Sequence, residues 1–248
     1  MTSPLGVVDL GRRAYRPVLE LQRALVQARI RGDITEDLLL LVEHDPVVTL
    51  GRSTRASSLP VSRPLLEARG FTVEEVERGG DVTIHAPGQL VGYPILDLTT
   101  HREDVHWYLR QLEEALIDAV GALGITAGRN PGYTGVWTNG RKLASIGVHV
   151  KRWVTLHGFA VNVTADLSLF NAIVPCGIPD VVMTSVATEQ PRLAEPWPRT
   201  VAAVTNAFAA CFGRVATPMT LPLGHGEGPL GPTPSPSIAP GALPPRND

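Results

Sequence analysis

The chain has 248 residues, 44% hydrophobic and 19% charged, with a formal net charge of −2. That length suffices for one large domain or two small ones around a buried core, and the charge balance offers no basic field for nucleic acid. Two cysteines, Cys176 and Cys211, form no CxxC pair, which argues against a disulfide framework or a cysteine zinc site, and no apolar run reaches the roughly 18–20 residues that cross a bilayer.

Asp9, Arg12 and Arg13 interrupt the first sixteen residues, which lack the apolar centre of a signal peptide. A cytoplasmic location is expected, where a thiol stays free. The folded part is expected from Val7 to Val215, within a catalytic domain at 1–215. Val18, Leu21, Leu25 and Ala28 recur at helical spacing and predict a helix over Tyr15 to Ile30. Asp37 to His44 is a short apolar run before Pro46, consistent with a buried strand. Ser62 to Gly70 has a cap-type start, an early proline and a terminal glycine, the signature of a short helix. Phe71 to Glu77 reads as a strand. His101 to Gly121 reads as a helix striped by Val105, Tyr108, Leu112, Leu116 and Ala119.

Two strands, Tyr133 to Thr138 and Lys142 to Val150, flank the hairpin pair Asn139-Gly140. A further strand follows at Trp153 to Val163, and a helix at Pro198 to Phe212. Strands clustered around a few helices predict an α+β fold, a mixed sheet packed with helices. The Pro/Gly-rich segment 216–248 lacks a core-forming pattern and is expected to be a disordered tail.

Four segments could carry chemistry. In Glu77 to Gln89, adjacent Gly79 and Gly80 suit either a close backbone approach to a ligand or an ordinary turn. Lys142 precedes an alternating strand. If it shares a face with Ala144, Ile146 and Val148 it loses hydration, and otherwise its long stem reaches solvent. In His157 to Asn162, Gly158 interrupts a strand, as happens where a ligand approaches the backbone. His157 itself could be an ordinary core histidine. Cys176 lies in a Pro/Gly turn, Val174 to Pro179, outside any periodic apolar run. It is a candidate nucleophile beside a glycine amide able to face an oxyanion. Cys211, between Phe208 and Phe212 in an apolar helix, reads as a core thiol. His85, His149 and His157 match no zinc-ligand spacing, and no metal or other cofactor is expected.

Together these segments resemble the lipoyl(octanoyl) transferases over roughly Val7 to Phe212. The motifs are Arg78-Gly79-Gly80-x-x-Thr83-x-His85-x-Pro87-Gly88-Gln89, Lys142-x-Ala144-x-Ile146-Gly147, His157-Gly158-x-Ala160-x-Asn162 and Pro175-Cys176-Gly177. The resemblance implies the catalytic-domain fold of biotin and lipoate ligases. It makes Cys176 the residue that takes the acyl group as a thioester and Lys142 the residue that tunes it. It places Arg78, Gly79, Gly80, Asp81, Val82, Thr83, Ile84, His85, Ser145, Ile146, Gly147, Gly158, Phe159 and Ala160 around the acyl chain. It further implies octanoyl-acyl carrier protein as donor, with lipoyl domains of 2-oxoacid dehydrogenases and the glycine cleavage H protein as acceptors. Ala86 departs from the family's usual glycine, and a methyl there could narrow the pocket or shift its loop. An ATP-dependent lipoate or biotin ligase is the nearest alternative, since Gly51-Arg52-Ser53-Thr54-Arg55 is similar to a biotin-ligase loop, but it would leave Cys176 without a role. A non-catalytic lipoyl-binding protein and a cysteine hydrolase using His85 or His157 are the other readings.

Overall fold

The structure, a computed structural model, describes residues 3–178 and 180–221. In chain order the elements are β1 (Ser3–Arg13), α1 (Tyr15–Arg31), β2 (Asp37–His44), β3 (Val47–Leu50), α2 (Arg63–Ala68), β4 (Thr72–Glu75), β5 (Val82–His85) and β6 (Gln89–Ile95). There follow α3 (Val105–Gly121), β7 (Gly128–Asn130), β8 (Tyr133–Thr138), β9 (Arg141–Lys151), β10 (Val154–Asn162), α4 (Val186–Glu189), α5 (Pro196–Cys211) and β11 (Arg214–Pro218).

Among the described residues, eight strands form a mixed sheet in the order β11-β1-β2-β6-β10-β9-β8-β7, and three form a small sheet in the order β4-β3-β5. The unbroken apolar run of β2 follows from its central place. Leu39 and Leu41 enter the core beneath α3 and α5, while Leu38, Leu40 and Val42 enter the core beneath α1. Because side chains alternate along a strand, burial on both faces requires apolar residues at every position. A third core joins the small sheet to α2 through Val48, Leu66, Phe71, Val73, Val82 and Ile84. Phe170 and Ile173, on the approach to Cys176, pack into this same core, so the small sheet anchors the cysteine segment.

The helix expected from His101 starts at Val105, because the Asp104 side chain accepts a hydrogen bond from Trp107 N at 3.0 Å and caps it there. The boundary expected at 215/216 also shifts. β11 continues to Pro218 in parallel pairing with β1, and Met219 N donates to Val7 O at 2.8 Å. Of the expected tail, 222–248 lies outside the described residues. Among the described residues no helix is long and apolar enough to cross a membrane.

Candidate active site

Lys142 lies at the start of β9, where the register with β8 slips. Val136 pairs with Ala144 but Trp137 pairs with Lys142, leaving Leu143 as an extra residue in β9. Leu143 and Ala144 both enter the core beneath α3, so the alternation expected from Lys142 through Val148 breaks at this bulge. Lys142 does not reach solvent either, being 1% exposed. Its backbone is clamped on both sides: Lys142 N donates to Val182 O at 2.8 Å, and Lys142 O accepts from Thr184 N at 2.9 Å. Its ammonium lies 5.4 Å from the Trp137 ring centroid, within cation–π range. Gly135 of β8 makes room for the stem, since a Cβ there would come within 3.0 Å of Lys142 Cε.

The Lys142 Nζ donates to Cys176 Sγ at 3.2 Å, joining residues from β9 and from the turn Pro175–Gly177. Cys176 is half-buried and has left-handed backbone angles, φ 56° and ψ 20°. A side-chain-bearing residue seldom adopts that conformation, and such strain persists only where surroundings enforce it. The enforcing groups are identifiable. The Asp81 carboxylate accepts from Ser58 Oγ at 2.6 Å and from Val82 N at 2.7 Å, and Ser58 O accepts from Val174 N at 2.9 Å. Gly177, also left-handed, presses its Cα against the Asp81 carboxylate, where any Cβ would collide. The Gly177 amide expected to face an oxyanion instead donates to Val174 O at 3.0 Å, closing the turn.

A cavity of about 430 Å³ opens beside this pair, within the usual size range of small-ligand sites. Arg78, Gly79, Gly80, Asp81, Thr83 and His85 line it, as do Ser145, Ile146, Gly147, Gly158, Phe159 and Ala160. Val82 and Ile84 do not. The period of two along β5 turns them into the small-sheet core while Thr83 and His85 face the cavity. Ala86 also packs into that core, so its methyl group leaves the cavity unaltered. Gly158 does mark a close approach, but by the chain itself: a Cβ there would strike Gly92 O and Pro94 of β6. Arg78 is buried and donates to Thr49 O at 2.7 Å and to Gly79 O at 3.1 Å, bracing the Gly-Gly loop it belongs to. Gly51-Arg52-Ser53 backs the same loop, with Arg52 N donating to Arg78 O at 3.0 Å and Ser53 N to Gly80 O at 3.1 Å.

The cavity is shallow at Gly80 and Tyr133, which are exposed, and deep at Tyr15, Tyr93 and His85, which are buried. Tyr15, Tyr93 and Leu109 were not legible as site residues, because α1, β6 and α3 bring them from separate parts of the chain. The rings at the deep end are themselves neutral, beside the buried Arg78 guanidinium. Burial, reinforced by neighbouring His44, lowers the His85 pKa to about 3, and burial lowers that of His44 to about 4. Burial also raises Tyr15 and Tyr93 above the ordinary phenol range. Among the described residues no group of three or more His, Cys, Asp or Glu is placed to hold a metal ion. His85 Nδ1 bonds Gln89 Oε1 at 2.6 Å, and His157 Nε2 lies 3.6 Å from Glu77. Cys211 packs against the core beneath α5 with its Sγ donating to Gln111 O at 3.3 Å, and burial pushes its thiol up to about 11, away from reactivity at neutral pH.

The two buried histidines make acid stability testable. Both have folded pKa values below the unfolded value near ~6.5, so the folded state binds fewer protons in between. Stability is complete above pH ~6.5 and falls as the pH drops towards 4, by up to about 1.4 kcal/mol per pH unit for each histidine. Melting temperatures measured from pH 7 to pH 5 should therefore decline. A flat profile would mean that these rings are not held neutral by the fold.

A lysine–cysteine pair beside an enclosed cavity is the arrangement of a nucleophile with a proton-carrying partner. Residues 14–213 match the lipoyl protein ligase A/B catalytic domain family. The chain is 52% identical over 179 residues to the octanoyltransferase of Solibacter usitatus, covering 72% of this chain and 81% of the relative. It is 44% identical over 205 residues to that of Nostoc punctiforme, covering 83% and 85%. The chain belongs to the lipoyl protein ligase A/B catalytic domain family, and within it to the octanoyltransferases. The fold extends to more distant proteins: a lipoate-protein ligase A bound with ATP superposes with a TM-score of 0.69 at 14% identity, over 89% of this chain and 90% of the other.

Proposed function

We propose that the protein moves an octanoyl group from an acyl carrier protein thioester to the lysine of lipoyl domains, through a thioester on Cys176. The observation that carries this reading is the 3.2 Å contact between Lys142 Nζ and Cys176 Sγ beside the cavity. An unperturbed thiol is only a few per cent ionised at neutral pH, and an adjacent ammonium favours the thiolate. The thiolate attacks the donor carbonyl, the carbon–sulfur bond to the carrier arm breaks, and the Lys142 ammonium protonates the departing thiolate. Lys142 is then neutral. In the second half-reaction the amine of the acceptor lysine attacks the Cys176 thioester and passes a proton to Lys142. The amide forms, Cys176 leaves as thiolate, and the ammonium–thiolate pair is restored.

The donor is already activated, so passing the acyl group from sulfur to nitrogen requires no nucleotide. This separates the reading from an ATP-dependent ligase on the same fold, in which Cys176 would have no task. The 2-oxoacid dehydrogenase lipoyl domains and the glycine cleavage H protein are the proposed acceptors, in the cytoplasm. The test mixes the protein with octanoyl carrier protein and apo lipoyl domain, without ATP or Mg²⁺, and weighs all three by mass spectrometry. The acceptor should gain one octanoyl group. Strict dependence on added ATP would assign a ligase instead.

A further inference from the structure

Two motif residues, Gln89 and Asn162, have no part in the scheme above. Neither lines the cavity, and both are buried, at 3% and 1% exposure. They face each other across β6 and β10, where Gln89 pairs with Asn162 in register. Asn162 Nδ2 donates to Thr184 O at 2.9 Å, Gln89 Nε2 donates to Asn162 Oδ1 at 2.9 Å, and Gln89 Oε1 meets His85 Nδ1 at 2.6 Å.

The direction of this chain is forced. A backbone carbonyl can only accept, so Thr184 O requires the NH₂ group of Asn162. Asn162 Oδ1 then requires the NH₂ group of Gln89, and Gln89 Oε1 requires a proton on His85 Nδ1. Turning either amide over would set two acceptors against each other. His85 is thereby fixed with its proton on Nδ1, and its ring forms part of the cavity wall.

At the other end, the Thr184 carbonyl belongs to the short segment that clamps Lys142. Val182 O and Thr184 N bond the two sides of the Lys142 peptide backbone, at 2.8 and 2.9 Å. The Asn162 side chain adds a tie from this segment to β10, next to the β10 residues of the cavity.

We propose that Gln89 and Asn162 are positioning residues that hold the Lys142 clamp, and through it the Lys142–Cys176 contact, in register with the acyl cavity. The proposal rests on Lys142 acting on Cys176. Among the described residues, the charged groups shown about the thiol segment include Lys142 from β9, Arg78 from the loop after β4 and Asp81 before β5, and the substitutions below leave all three in place.

The experiment follows alkylation of Cys176 by iodoacetamide against pH, in a Cys211→Ser background that leaves one thiol, so it reads the pair without any acyl substrate. Asn162→Ala should slow alkylation at pH 7 about tenfold and move the midpoint of the profile upward, towards that of Lys142→Ala. Gln89→Met, which leaves the Asn162–Thr184 bond in place, should slow it about threefold. Either folded variant with the parental alkylation profile reduces the two amides to ordinary satisfaction of core polar groups and overturns the proposal. Gln89→Met decides if Asn162→Ala shows no cooperative melt. A Lys142→Ala protein with the parental profile would remove the coupling itself, and the proposal with it. A transfer assay that fails while these profiles shift as expected would count against the octanoyltransferase reading alone.

Discussion

Cys176→Ala is expected to abolish transfer, with a loss of about 10⁴-fold or more, as for removal of a covalent nucleophile. The loss would be chemical. Alanine meets the same left-handed backbone requirement as cysteine at φ 56°, and the bracket formed by Asp81 and Ser58 does not involve the thiol. The folded turn should survive while its reactive atom is gone. Incubated with donor alone, the wild-type protein should gain one octanoyl mass that hydroxylamine removes, and Cys176→Ala should gain none. Cys211→Ala should keep most of the activity, because that thiol packs against α3 and bonds Gln111 O. Continued turnover by Cys176→Ala would replace the covalent route with direct transfer between donor and acceptor.

Lys142→Arg is expected to split the reaction in two. The guanidinium keeps a positive charge, so part of the support for the thiolate survives and the enzyme still takes up an acyl group from donor. Its pKa above ~12 prevents it from accepting the proton of the incoming amine. Discharge to the acceptor should then slow by about 10²–10⁴-fold, the usual contribution of a positioned acid–base group. Sterics act in the same direction, because the stem passes close to Gly135 and beneath Trp137, and a planar fork is bulkier than an ammonium. The measurement is a single-turnover chase of acylated Lys142→Arg with apo lipoyl domain. Discharge at the wild-type rate would show that Lys142 works through its charge alone and that another group takes the proton.

The helices α1, α3 and α5 could be read from the sequence because each buries one stripe of a 3.6-residue repeat, and β2 because both its faces are buried. β1 was harder to read. Its apolar positions Leu5, Val8 and Leu10 fall out of strict alternation, and its pairing with β2 is irregular between Asp9 and Arg12. β3, β5 and β11 are only four or five residues long, too short for periodicity to separate them from loops. The site residues were legible as types in an order, since motif glycines, a lysine and a turn cysteine can be recognised one at a time. Their mutual geometry was not. The bulge at Leu143 in the β8–β9 hairpin and the closure of the turn by the Gly177 amide are backbone arrangements that residue types do not spell out, and the inward turn of Val82 and Ile84 follows from the pairing of β5 with the distant β3.

The parallel seam between β1 and β11 also governs how the chain is made. β1 can pair with β2 soon after both have left the ribosome, but its other edge meets Arg214 to Pro218, at nearly the opposite end of the sequence. Throughout synthesis that edge carries unpaired backbone N–H and C=O groups, able to add a strand from another chain. Contacts so distant in sequence form slowly, because the intervening loop must close first. Among the described strands, β11 therefore acts as the seal on β1, and a chain halted or clipped before Arg214 would leave the ribosome with an adhesive edge.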